Sequence, residues 1–379
     1  MDIYVVKEGD SVDGIAAEFQ VSPQTIIFDN QLVYPYKLAI GQSLLINDGQ
    51  VRENRRQAVI RGFAYPFISR YVLSQSLPAL SELAVFSYGF TPEGDLVYPI
   101  LDDNELIQMT YSYGAKPILT LTPLGPDGRF SNELISDVIN NEAATDALIN
   151  NLLYVMELKG YLGLDVDFEY IKAEDRQAFV DFVALVTERM NAVGYSVSVD
   201  LAPKISATQP GLLYAGKDYA ALGAVANSVL IMTYEWGYTY GPPMAVAPIN
   251  KVRQVLDYAV TEIDSAKMNM GIPNYGYDWP LPYERGVTKA KTIGNVEAVQ
   301  IAIQYGSEIF YDETAQTPFF HYTEGGVEHE VWFEDARSLQ AKMELVEEYN
   351  LRGISYWQIM QLFRVNWLLT ENNFQVVKQ

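Results

Sequence analysis

Three carboxylates stand two residues apart in the run Tyr161-Leu-Gly-Leu-Asp-Val-Asp-Phe-Glu-Tyr170, namely Asp165, Asp167 and Glu169. Side chains of a strand alternate between its faces, so these acids share one face while Leu164, Val166 and Phe168 share the other. An unpaired carboxylate in a low-dielectric interior is costly and takes up a proton instead. Crowding adds to this, because like charges at such spacing push their pKa values apart and hold at least one proton in the cluster near neutral pH. The chemistry on offer is therefore proton donation by a carboxylic acid. Two plainer uses of the same residues exist. An edge strand could hold the acids in water, although the apolar flanks suit burial on both faces. A magnesium or calcium site could gather them, although hard cations usually draw their oxygens from loops.

If this strand lies in a barrel of parallel strands, its carboxyl end is where such barrels place their chemistry. Glu169, nearest that end, is then the donor, Asp167 its partner, and Asp165 the buried member that shares a proton or hydrogen bond with Asp167. The rest of the chain is patterned for such a barrel. Short apolar runs at 59–65, 83–88, 116–121, 161–169, 196–202, 228–234, 267–272 and 352–357 make eight candidate strands. Amphipathic stretches fall between most of them, for example Arg176 to Ala192 with Phe179, Val183 and Val186 on one side. The expected fold class is α/β, a TIM (β/α)8 barrel over residues 59–379. One long connection, about 274–350, lies between the seventh and eighth strands and must have structure of its own. It reads as a helix and a hairpin, Phe319-Phe-His-Tyr, then Gly-Gly, then His329-Glu-Val-Trp-Phe333.

Other strand ends should deliver functional groups too. The sixth ends Met232-Thr-Tyr-Glu-Trp236 and the eighth ends Ile354-Ser-Tyr-Trp357. By residue type alone Tyr234 and Trp357 could equally be core aromatics, though an indole face suits the apolar C–H face of a pyranose. Tyr65, after the first strand, and Tyr275, after the seventh, are further wall candidates. Asp200 on the fifth strand is a candidate for the lumen side, and a hydrogen-bonded structural acid is its plainer role.

Composition narrows the function. A chain of 379 residues with 49% hydrophobic and 20% charged residues is ample for one large core and a small module. No apolar run reaches membrane-spanning length, and Met-Asp-Ile-Tyr-Val-Val-Lys-Glu has neither the basic start nor the apolar segment of a secretory signal. A formal net charge of -22 argues against nucleic acid or an anionic membrane as partner, and glycan binding would have to come from stacking and hydrogen bonds. Zero cysteines exclude disulfides and a thiol nucleophile, and only His321 and His329 supply imidazoles. Carboxylates remain as the acid-base groups, with no cofactor and no metal expected. Residues 1–47 form a separate pattern of strand, two helices and strand, with Ser11 or Asp10 and then Ser22 as helix caps. The polar stretch 48–58 reads as a linker.

These motifs carry resemblances. Gly163-Leu-Asp-Val-Asp-Phe-Glu169 resembles the signature of glycoside hydrolase family 18, an aspartate, two spacers, then Asp-x-Asp-x-Glu. The signature's first aspartate falls here on Leu162, the deepest position of the series. The sixth strand end is close to the family's Met-x-Tyr-Asp, with Glu235 in the aspartate position, and the long connection resembles an insertion that forms one groove wall in some members. The resemblance implies a retaining hydrolase in which the substrate's own N-acetyl group attacks as Glu169 donates its proton. Asp167 would orient the acetamide and Tyr234 hold its carbonyl. Trp357 would floor the sugar pocket, and Met232, Glu235, Trp236, Tyr65 and Tyr275 would line it.

Residues 1–47 resemble a LysM module, a fold that binds N-acetylglucosamine-containing glycans, through Gly9-Asp-Ser11, Ile15-Ala16, Asn30 and Leu38-x-x-Gly-Gln-x-Leu44. That resemblance maps the glycan groove to Gly9, Asp10, Ser11 and Asn30. The combination is similar to the spore cortex-lytic N-acetylglucosaminidases of endospore-forming bacteria. It implies peptidoglycan as partner and the spore as location, with one LysM copy where those proteins often carry two. A chitinase of the same fold, or a lectin-like relative that binds without cutting, are the alternatives.

Overall fold

The computed structural model describes residues 1–378. Eight parallel strands form a closed ring: Arg56–Ala64, Glu82–Phe90, Lys116–Leu121, Gly163–Val166, Ser196–Leu201, Ser228–Ile231, Met268–Pro273 and Gly353–Trp357. Each pairs with the next, and the first pairs with both the second and the eighth, which closes the barrel. The strands are rich in Val, Ile and Leu because helices cover one face and the filled lumen the other. Helix Arg176–Asn191 buries Phe179, Val183 and Val186 as its periodicity requires.

The fourth strand is shorter than its apolar run suggests, ending at Val166 rather than Glu169. The chain leaves the sheet gradually. The Asp167 N–H still donates to the Leu121 carbonyl at 2.9 Å, and the buried Phe168 ring stacks on Phe182 with centroids 5.8 Å apart. Side-chain alternation therefore survives the end of the ladder, and the acids keep to the lumen side.

The connection between the seventh and eighth strands is richer than a helix and one hairpin. Its strands Gly276–Pro280, Lys291–Ile293, Phe310–Asp312, Thr317–Glu324 and Val327–Trp332 make a five-stranded antiparallel sheet. Helix Asn295–Tyr305 covers it through Ala298 and Ala302, which pack with Ile293, Phe320 and Val331. The expected hairpin turns at Gly325 and Gly326.

The amino-terminal unit pairs strand Asp2–Val5 with Ser43–Ile46 around helices Val12–Phe19 and Pro23–Asp29, capped by Ser11 and Ser22. It has its own small core of Val6, Val12, Ile15, Ile26, Leu32, Leu44 and Ile46. The unit is seated on the barrel. Gln31 donates to the Leu362 carbonyl at 3.1 Å and accepts from the Arg364 N–H at 2.7 Å. The Arg364 guanidinium lies 3.8 Å from the centre of the Phe28 ring. The Ile309 N–H donates to the Ile40 carbonyl, and Ala39 enters the core of the inserted sheet. Gly41 adopts φ +80°, and a Cβ there would stand 1.8 Å from the Ile309 carbonyl oxygen, so only glycine permits the approach.

The connecting stretch is also tied down. Arg52 bonds Asn372 and Asn373, Arg55 bonds the Glu371 carbonyl, and Arg56 bonds the carbonyls of Val346 and Leu351. Among the described residues no helix is long and apolar enough to cross a membrane. Removing residues 1–47 uncovers the Ala39 contact and leaves the Gln31 and Phe28 partners bare. The truncated chain is expected to be less stable by about 2–4 kcal/mol, from a few lost hydrogen bonds and modest apolar burial. Urea unfolding of both forms checks this, and equal midpoints would show the seat to be energetically empty.

Candidate active site

The carboxyl ends of the strands open into a groove of about 710 Å³. Asp167, Glu169, Asp200, Tyr234, Glu235 and Trp357 line it, with Tyr65, Met232, Tyr275 and Tyr277. The fourth strand supplies Asp165 at the bottom, with no exposure, and the extended residues that continue it supply Asp167 and then Glu169 at the opening. The geometry thus brings together the expected donor, its neighbour and most of the expected wall.

Asp165 has a different partner from the one expected. Its Oδ1 accepts from Arg61 Nη1 at 2.6 Å and from the Ser198 hydroxyl. The Arg61 guanidinium, itself buried, also grips Glu82 at 2.7 Å, and Glu82 accepts from Arg352 at 2.8 Å. Burial opposes ionisation of Glu82, yet Arg61 and Arg352 hold its pKa at about 2. Arg61 was legible only as a lone charge in the apolar run Val59-Ile-Arg-Gly-Phe63. Leu162 needs a correction as well. The alternation that turns Asp165 and Asp167 inward puts Leu162 on the opposite face with Leu164 and Val166, so it is not the deepest member of the acid series.

Above this layer the acids bind their protons more tightly than exposed carboxyls do. Burial raises the pKa of Asp167 well above the ordinary carboxylate range, and the charges of Glu169 and Asp165 raise it further. Asp200 is raised well by burial and then by Asp165 and Asp167. Glu169 is raised by burial, with Lys217 pulling the other way. Desolvation therefore leads, and crowding of like charge follows it. No protein donor reaches Asp165 Oδ2, Asp167 Oδ1 or Asp200 Oδ1, so hydrogen bonding does not offset the burial of these oxygens.

The sixth strand end supplies Tyr234, buried and raised well by that burial, so its hydroxyl remains a donor. Gly271 on the next strand makes room for the ring, since a Cβ there would lie 2.5 Å from Tyr234 Cε1. Glu235 sits in the left-handed region at φ +67°. Its carboxylate accepts from the Tyr275 hydroxyl and, at 3.0 Å, from the Tyr277 hydroxyl. Burial raises its pKa while those two bonds draw it back. Trp357 packs its edge on Phe86 and Phe63, with centroids 4.9 and 5.6 Å away, and is only half-buried. Trp236, by contrast, is outside the lining. Its N–H bonds the Val246 carbonyl and its ring packs against the barrel core, because the turn at Glu235 redirects the chain.

In the amino-terminal unit Gly9, Asp10 and Ser11 form an exposed turn. Asp10 accepts from the Tyr4 hydroxyl and the Lys7 N–H, and Ser11 caps the first helix. Asn30 was expected to face a glycan, but its amide is committed to backbone. It donates to the Ile26 and Leu45 carbonyls and accepts from the Leu45 N–H at 2.7 Å, which pins the second helix to the closing strand.

Comparison with known proteins agrees with this architecture. The profile of Glycosyl hydrolases family 18 matches residues 124–361, and that of the LysM domain matches residues 4–47. The chain is 36% identical to the cortical fragment-lytic enzyme of Bacillus subtilis (strain 168), over all of this chain and 99% of that one. The crystal structure of the Bacillus megaterium QM B1551 spore cortex-lytic enzyme SleL superposes with a TM-score of 0.93 at 34% identity, covering 100% of this chain and 99% of that one. That of the Bacillus cereus spore cortex-lytic enzyme SleL gives 0.94 at 32% identity, with the same coverage.

Arg61→Leu leaves buried Asp165 without its cation and Glu82 with Arg352 alone. It is expected to destabilise the fold by about 3–5 kcal/mol at neutral pH. Glu82 has a folded pKa of about 2 against an ordinary 4.5, so its contribution is complete above 4.5 and lost as the pH falls through 2. Urea titrations at descending pH should therefore show the gap between the two proteins narrowing below 4.5. A constant gap would mean that packing, not charge, accounts for the loss.

Proposed function

The chain belongs to family 18 of the glycosyl hydrolases, and from that premise we propose that it cuts β-1,4 bonds after N-acetylglucosamine in spore cortex peptidoglycan by substrate-assisted catalysis. It is a glycoside hydrolase. The observation that carries the rest is the position of Glu169, at the groove opening beside Asp167, where burial raises the proton affinity of its carboxyl.

Most glycosidases flank the scissile bond with two working carboxylates, one on each face of the sugar, but this family is an exception in which the substrate supplies the nucleophile. Glu169 gives its proton to the leaving oxygen while the acetamide oxygen of the bound sugar closes on the anomeric carbon. The Asp167 carboxylate receives the acetamide N–H and balances the positive charge that develops on the resulting oxazolinium ring. The Tyr234 hydroxyl holds the acetamide carbonyl, and the Trp357 face supports the pyranose. Glu169, now ionised, takes a proton from water as it attacks, and configuration is retained.

Substrate choice rests on similarity along the whole chain to enzymes named for cortical fragments and spore cortex lysis. The lining agrees in kind, since it offers aromatic rings and acids and no basic side chain, as suits a sugar bound by stacking and hydrogen bonds. The LysM unit, with its exposed Gly9-Asp10-Ser11 turn, adds a second glycan contact at a fixed place on the same body. A spore-associated location follows from the same relatives.

Glu169→Gln keeps the shape of the side chain and removes the donor. Turnover is expected to fall by about 10²–10⁴-fold, with glycan binding kept. Normal turnover in that variant would end the mechanism. Mass spectrometry of products from cortex peptidoglycan and from chitin oligomers tests the substrate. Fragments with N-acetylglucosamine at the new reducing end are expected from cortex, and release from chitin alone would replace cortex by a chitin-like polymer.

A further inference from the structure

One fully buried titratable group takes no part in that chemistry. Lys217 follows the fifth barrel strand and immediately precedes Asp218, the cap of helix Tyr219–Val225. Its side chain has no exposure. The ammonium donates to the Phe168 carbonyl and, at 2.9 Å, to the Asp200 carbonyl. The first of these lies between Asp167 and Glu169 at the end of the fourth strand, and the second belongs to the buried acid on the fifth. The Phe179 ring, with its centre 5.0 Å from Nζ, presents an aromatic face to the ammonium.

The charges around it divide cleanly. Arg61 is committed to Glu82 and Asp165. Arg176 is paired with Asp218 at 2.7 Å, and Lys204 donates to the Lys217 carbonyl rather than to an acid. Asp167, Asp200 and Glu169 all face Lys217 and support its charge, against a burial that brings its pKa down to about 8. A lysine held this deep is expensive to desolvate, and an apolar residue of similar size would serve packing equally well.

We propose that Lys217 is a positioning residue for hydrolysis: its ammonium ties the ends of the fourth and fifth strands together and keeps one carboxylate of the Asp167, Asp200 and Glu169 group ionised. The proposal rests on the reading of Glu169 as donor and Asp167 as its charged partner. Without the cation, burial and mutual repulsion put protons on the acids around it. A neutral Asp167 cannot balance the charge that forms on the acetamide. The same ammonium lowers the proton affinity of Glu169 and makes it a readier donor.

Two substitutions separate charge from shape. Lys217→Met removes both the charge and the donor, whereas Lys217→Gln keeps an N–H donor for the carbonyls. The measurement is the pH dependence of kcat and of KM on a soluble N-acetylglucosamine oligomer, with thermal unfolding alongside. In both variants the acid limb of kcat should move to higher pH by on the order of one unit, the low end for an opposite charge a few Å away. At neutral pH kcat should drop about tenfold, with KM little changed. A folded Gln variant with the wild-type profile and kcat would overturn the proposal. If neither variant folds, lysine NMR of the intact protein and of Glu169→Gln decides. A Lys217 signal titrating near 8, and lower still once the Glu169 charge is gone, supports it; an ordinary value near 10.5 in both overturns it. A Glu169→Gln variant active at every pH would instead remove the donor reading, so the two failures are told apart.

Discussion

Arg61 reaches from the first strand across the barrel to Asp165 on the fourth and Ser198 on the fifth, while its other edge holds Glu82 on the second. Barrel interiors of this kind are normally filled by layers of branched apolar side chains. Here one layer is ionic, and it closes only if strands from opposite sides of the ring arrive at the right height. Everything at the mouth of the barrel inherits that requirement. The acids above this layer can be buried without unfolding the protein because a cation sits beneath them and a second, Lys217, sits beside them. The proton chemistry at the groove is in this sense a by-product of how the lumen is filled.

The groove itself is assembled from unlike sources. Strand ends supply Asp167, Asp200 and Tyr234, and the start of the inserted sheet supplies Tyr275 and Tyr277, whose hydroxyls hold Glu235. The left-handed backbone at Glu235 is a strained conformation for a residue with a side chain, and it is retained where the two tyrosines over-determine it. The same turn sends Trp236 out of the groove and against the barrel core, which is why a residue next to a groove residue in sequence need not line the groove itself.

Much of this was legible in the chain and some was not, for physical reasons. The eight strands announced themselves as apolar runs, and the acid series was visible because alternation with Leu164, Val166 and Phe168 is a local property. The end of the fourth strand was not, since Phe168 keeps its burial after the ladder has stopped. Partners came out worst. Asp165 looked as though it must share with its nearest acid in sequence, but its partners Arg61 and Ser198 belong to other strands. Lys217 lies in a loop with no periodicity, so nothing short of the folded chain could set it beside Phe168 and Asp200. Asn30 was misread in the other direction, as a ligand contact, because an amide that cross-links two backbone segments leaves no mark on the sequence different from one that faces outward.

The seat of the amino-terminal unit has a consequence of its own. Gln31 clasps Leu362, in the loop that leaves the strand ending at Trp357, and Arg364, the first residue of the helix that follows, and Gly41 is pressed against Ile309 of the insertion. With so little freedom at the joint, the unit acts as a ruler rather than a leash. A polymer gripped by it would be offered to the groove at one preset offset, so the pattern of cuts along a glycan becomes a matter of molecular metrology instead of local concentration.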